Sequence, residues 1–96
     1  MYILLTYDVN ITSVNGAKRL RKVAKLCEKY GLRVQNSVFE LNIDMTQLTI
    51  LQNELKKIID SDNDSIRMYH LSKNLDKHIT VIGKKQLIEN TDPFIL

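Results

Sequence analysis

The chain has few of the residues that break or staple a fold. Across 96 residues it holds 3 glycines, 1 proline, 1 cysteine and no tryptophan. So little glycine and proline excludes a disordered linker or a collagen-like build. The lone cysteine, Cys27, cannot close an internal disulfide, which excludes a stapled secreted scaffold and fits a reducing cytosol. His70 and His78 have neither cysteine neighbours nor helical pairing, so no zinc site is indicated. No apolar run approaches the ~20 residues that a membrane span needs. The opening Met1-Tyr2-Ile3-Leu4-Leu5-Thr6-Tyr7-Asp8 has no basic leader, and a cytoplasmic, membrane-free address is expected.

Acids are scarce in one region only. Residues 1–35 carry seven basic groups (Lys18, Arg19, Arg21, Lys22, Lys25, Lys29, Arg33) against Asp8 and Glu28. Residues 36–71 reverse the balance, with three basic and six acidic groups, and the whole chain nets +3. An anionic partner should therefore meet the first half. The 44% hydrophobic and 26% charged content is that of one ordinary globular domain spanning 1–96. A chain this short buries only about 60–70% of its unfolded surface, so dimerisation would add stability.

Periodicity sketches the elements. Tyr2–Val9 is apolar on both alternating sets, as a central strand requires. Asn10–Asn15 reads as a loop with Asn15 as a helix N-cap. Ala17, Leu20, Val23, Ala24 and Cys27 then form a helical stripe, and Gly31 suits a left-handed C′ position. Leu32–Ile43 is one bent strand or two short ones, and period alone leaves both open. Asp44 or Thr46 starts a second helix with Leu48, Leu51, Leu55, Ile58 and Ile59 inward. Ser65–Leu71 is a strand, Lys73-Asn74 a turn, and Ile79–Ile82 a further strand ending at Gly83. Residues 79–96 form a C-terminal segment that closes on the apolar Phe94-Ile95-Leu96. If the middle strand splits, the order is the ferredoxin-like βαββαβ sandwich, α+β, with an additional C-terminal strand.

Few residues offer chemistry. Asp8 stands at the end of the first strand, on the face of Tyr2, Leu4 and Thr6, as a catalytic acid or as a turn-forming one. The basic helix has almost no acids at i±4 to pair with, so it offers a phosphate-contacting surface or merely a solvated face. Asp60-Ser61-Asp62-Asn63-Asp64 begins like a calcium loop. However, Ser65 stands where that loop needs glycine and Leu71 where it needs glutamate, so a helix exit is expected. Cys27 belongs to a core stripe and should pack.

Three stretches resemble one family: Tyr7-Asp8-Val9, then Lys18-Arg19-Leu20-Arg21-Lys22-Val23-Ala24-Lys25, then Gly31-Leu32-Arg33-Val34-Gln35-Asn36-Ser37-Val38-Phe39-Glu40. The likeness is to the CRISPR-associated "Cas-two" family, small subunit of the spacer-acquisition complex. It continues through Thr46-Gln47-Leu48, Asp64-Ser65-Ile66-Arg67 and Asp92-Pro93. It implies two strands in the middle segment, a homodimer with 79–96 packing across it, and assembly with the integrase subunit. The family's metal-binding acid maps onto Asp8. The resemblance further implies a Mg²⁺-dependent endonuclease of single-stranded RNA or duplex DNA, with Tyr7 and Arg33 as catalytic neighbours. Lys18, Arg19, Arg21, Lys22, Arg33 and Phe39 are the expected nucleic-acid contacts. A two-fold axis would place two Asp8 carboxylates around one Mg²⁺. Two other readings stand beside this: a non-catalytic DNA-binding scaffold of the integration complex, and a toxin-like ribonuclease of the same fold. A plain RNA-recognition module would want more aromatic residues on the middle strands than Phe39 alone.

Overall fold

A computed structural model describes residues 1–71 and 80–83. The chain runs β1 (Tyr2–Asp8), α1 (Gly16–Glu28), β2 (Gly31–Gln35), β3 (Val38–Asn42), α2 (Met45–Ile58) and β4 (Ser65–Leu71). The strands form one antiparallel sheet in the order β2-β3-β1-β4. This is the expected α+β, ferredoxin-like arrangement, with both helices on one face of the sheet. The middle segment is two strands, joined through Asn36 and Ser37, with Gln35 opposite Val38. A register shift between Arg33 and Gln35 breaks the alternation there. That shift is why period alone does not separate them.

β1 alternates cleanly. Ile3, Leu5 and Tyr7 are buried, whereas Tyr2, Leu4 and Thr6 are half-buried and Asp8 is exposed. The buried set meets Phe39 and Leu41 of β3, Val23, Leu26 and Cys27 of α1, and Leu48, Leu51 and Leu55 of α2. The expected helix stripe holds at Val23 and Cys27, and it also takes in Leu26, which turns inward beside Cys27.

Helix ends differ in how they are built. α2 begins with a capping box: the Gln47 N–H donates to the Asp44 carboxylate at 2.8 Å, and the Asp44 N–H donates to Gln47 Oε1 at 3.0 Å. This selects Asp44 over Thr46. Asn15 precedes α1 as expected, yet it is left-handed (φ 61°) and makes no side-chain cap. Gly31 is not left-handed, so its expected C′ role does not hold. α1 instead closes by tightened bonds from Lys29 and Tyr30 N–H to Leu26 and Cys27 carbonyls. Gly31 is glycine because a Cβ there would collide with the Glu40 carbonyl and the Leu41 side chain. Gly16 is likewise pressed against the Asn10 backbone, where a Cβ would strike the Asn10 carbonyl oxygen.

The Lys73-Asn74 turn and the segment 84–96 lie outside the described residues, as does Ile79 of the expected strand Ile79–Ile82. Thr80, Val81 and Ile82 are described; all are exposed and none is in a strand, so the expected additional C-terminal strand is not seen among the described residues. Among the described residues, no helix is long and apolar enough to cross a membrane.

Candidate functional site

Asp8 ends β1 on the sheet face that the helices leave open. Its Cα partner in β4 is Ser65, and Thr6 lies opposite Arg67, Leu4 opposite Tyr69, and Tyr2 opposite Leu71. Cross-strand partners share a face. The open face thus carries at one end an apolar band, half-buried at Tyr2 and Leu4 and exposed at Tyr69 and Leu71, and at the other end the Asp8 carboxylate. Among the described residues, no hydrogen bond or ion pair engages the Asp8 side chain. Among the described residues, Arg67 is the cation that strand register brings to this face; it is exposed, with its guanidinium 3.5 Å from the Tyr69 hydroxyl. Sequence reasoning misses it because its place depends on the β1–β4 register and not on any local motif.

The sheet separates Asp8 from its expected companions. Tyr7 points the other way, into the core, and its hydroxyl donates to the Asn36 carbonyl at 2.9 Å. Burial pushes the Tyr7 phenol up, while Arg33 nearby pulls against that shift. Phe39 is fully buried, 6.1 Å from the Tyr7 ring, and Arg33 lies over its outer face at 5.3 Å. The expected nucleic-acid contact by Phe39 is therefore corrected: the ring is a core side chain capped by a guanidinium. Arg33 is 40% exposed along its side chain and sits 3.7 Å from the Glu28 carboxylate. Tyr7, Phe39 and Arg33 form one cluster on the helix side, and Asp8 stands apart on the open side.

The basic helix also divides. Lys18, Arg21, Lys22 and Lys25 of α1, and Lys29 at its C-cap, are all exposed, at spacings that fall on one stripe. Arg19, expected among the phosphate contacts, is committed elsewhere. Its Nε donates to Asp64 Oδ2 at 2.8 Å, Nη1 to the Val14 carbonyl at 2.6 Å, and Nη2 to Ser13 Oγ at 2.6 Å. The Asp64 side chain is wholly buried, and it also accepts the N–H groups of Asn10 and Asp60 at 3.1 and 2.9 Å. Arg19 beside it, above all, holds the Asp64 carboxyl below the usual carboxylate range. This removes Arg19 from the outward-facing set.

The calcium-like run is a helix exit, as expected. Asp60 accepts the Asp62 N–H and the Asn63 amide, and Asp64 turns inward. Among the described residues, no three metal-ligating side chains gather within one chain. Burial pushes the Cys27 thiol up to about 12, which suits packing and not reaction. The donor chemistry at Asp8 fits Mg²⁺ in one way. An exposed carboxylate is a hard oxygen ligand, and Mg²⁺ keeps several waters when held by only one or two such groups.

Fold and site together define a small ferredoxin-like protein with an exposed strand-end carboxylate and a basic outer helix. The family model for CRISPR associated protein Cas2 matches residues 1–79. A curated relative from Halalkalibacterium halodurans, named "CRISPR-associated endonuclease Cas2", is 53% identical over 95 residues, covering 99% of each chain. The crystal structure of Streptococcus pyogenes Cas2 superposes with TM-score 0.79 and 48% identity, over 86% of this chain and 100% of that one. A chain of a partial Cas6-RT-Cas1–Cas2 complex matches with TM-score 0.65 and 33% identity, over 84% and 89% of the two chains. This chain belongs to the Cas2 family.

Proposed function

We propose that the chain is a nucleic-acid-cutting subunit of CRISPR spacer acquisition. It works as a cytoplasmic homodimer that hydrolyses phosphodiester bonds of single-stranded RNA or duplex DNA with Mg²⁺ and docks on an integrase subunit. The observation that carries this is Asp8: exposed, unengaged by any described residue, and on the open face of the sheet. The half-buried Tyr2 and Leu4 and the exposed Tyr69 and Leu71 share that face and supply apolar area for a two-fold contact. Such a contact would repeat Asp8 about its axis, giving the two carboxylates that one chain lacks. When bound there, Mg²⁺ supplies Lewis-acid activation of the phosphoryl group and of an attacking water. Asp8 holds the ion, and the α1 stripe attracts the phosphate backbone. The name of the Halalkalibacterium relative and the Cas1–Cas2 assembly of the partial complex support the cutting and docking roles respectively.

The test is incubation of the purified protein with labelled RNA and duplex DNA, with Mg²⁺ or a chelator, beside Asp8→Asn. Cleavage should require Mg²⁺ and vanish in the variant, whose melting temperature should match the wild type. Full cleavage by a folded Asp8→Asn protein would refute the metal mechanism.

A second reading, a DNA-binding scaffold, is favoured by one observation. The helix that carries the basic stripe packs on one side of the sheet, and Asp8 projects from the other. Binding and cutting need not coincide. Neutralising Lys18, Arg21 and Lys22 together should weaken binding to every duplex sequence and flatten its salt dependence. The log–log slope should fall by roughly 0.9 for each phosphate that the variant no longer neutralises. An unchanged slope in a folded variant would show that the stripe is only solvated.

A further inference from the structure

Asp8 has no described side-chain partner, so its position is set by the backbone that carries it. β1 loses its β3 neighbour before it ends: the last registered pair is Thr6 with Val38, followed only by the Tyr7 N–H bond to the Ser37 carbonyl at 3.1 Å. Beyond that point the neighbour of Asp8 is Ser65, the first residue of β4. Both strands are fastened there by the same side chain. Asp64, directly before Ser65, accepts the Asn10 N–H two residues beyond Asp8, and the Asp60 N–H on the incoming loop. Arg19 completes the clamp by holding Asp64 in two places, through Nε at 2.8 Å and Nη2 at 3.3 Å, while also binding Ser13 and Val14. The chain leaving Asp8 and the chain arriving opposite it are thus tied to one guanidinium–carboxylate pair.

We propose that Arg19 and Asp64 are positioning residues for the Asp8 metal site, fixing the carboxylate through the strand ends on either side of it. The inference rests on the reading of Asp8 as a divalent-metal ligand. Without the pair, the last residues of β1 and the first of β4 keep their ladder but lose their anchor to α1. A carboxylate that must meet its two-fold mate around one ion is sensitive to such loosening. Removing groups that orient a ligand typically lowers metal affinity by roughly 10–100-fold. A fully structural pair would lower stability and leave metal affinity untouched.

The experiment titrates Mn²⁺, followed by its electron paramagnetic resonance signal, into the full chain without nucleic acid. Wild type, Arg19→Met, Arg19→Lys, Asp8→Asn and Leu51→Val are compared. Leu51→Val is a core truncation that serves as a stability control. Arg19→Met should weaken Mn²⁺ binding by roughly tenfold or more. Arg19→Lys, which keeps the charge but not the fork, should be intermediate and carries the test if Arg19→Met does not fold. Leu51→Val should bind as wild type. Wild-type affinity in the folded Arg19 variants, or an equal loss in Leu51→Val, overturns the positioning role. Undiminished binding by Asp8→Asn overturns instead the reading of Asp8 on which it rests.

Discussion

Phe39→Ala should cost about 3–5 kcal/mol of stability, as truncation of a well-packed aromatic core residue usually does. In a domain of this size that lowers the melting temperature by at least about 12 °C, since each kcal/mol is worth about 4–8 °C. The ring is fully buried in the core and lies against Tyr7 of β1, and the Arg33 guanidinium of β2 is placed over its face. These two neighbours come from different strands and cannot close on the void together. Arg33 would also lose its platform and swing outward from Glu28. Phe39→Leu keeps most of the volume and should cost far less. Calorimetric melting of the two variants checks this. If Phe39 instead stacked on nucleic acid, Phe39→Leu would keep the fold and lose RNA affinity as fully as Phe39→Ala.

The contrast between Phe39 and Asp8 shows what a sequence can and cannot convey. Strand period places Asp8 on the face of Tyr2, Leu4 and Thr6, and the structure agrees, because alternation is a local property of an extended backbone. The same logic, applied to the Tyr-Asp pair, requires Tyr7 to face the opposite way. Grouping Tyr7, Arg33 and Phe39 with Asp8 comes from family resemblance, which places residues in a motif and not on a face. Capping chemistry is readable at Asp44 and Gln47, which lie three residues apart. Gly31 misleads because a glycine required by close approach to Glu40 and Leu41 looks, in sequence, like one required by a left-handed turn. Arg19 misleads for a related reason. It has no acid at i±4 to occupy it, whereas its partner Asp64 is 45 residues away. Long-range pairing leaves no periodic trace.

That distant partner gives the other large effect expected here. Asp64→Ala removes the acceptor of Arg19, of the Asn10 N–H and of the Asp60 N–H in one step. Breaking a buried, hydrogen-bonded pair from one side typically costs about 3–5 kcal/mol. The lower end, about 3 kcal/mol, applies because Arg19 keeps a partly exposed route to water. The loss should depend on pH in a defined direction. The Asp64 carboxyl is held low, first by Arg19 and then by the Asp60 and Asn10 N–H groups. A lowered folded-state value means that the unfolded chain binds more protons, so the stabilisation is fully present above the unfolded pKa of about 4. It is lost as pH falls through the folded value below that. Asp60 is also held low, by the Asn63 amide first, and contributes with the same sign. Urea unfolding at pH 7 and pH 3 should therefore show the gap between wild type and Asp64→Ala narrowing in acid, because the wild type falls more steeply. A double variant, Arg19→Met with Asp64→Ala, should lose less than the two single variants together, since both remove the same interaction. A gap of equal size at both pH values would mean that Asp64 acts by its shape and not by its charge.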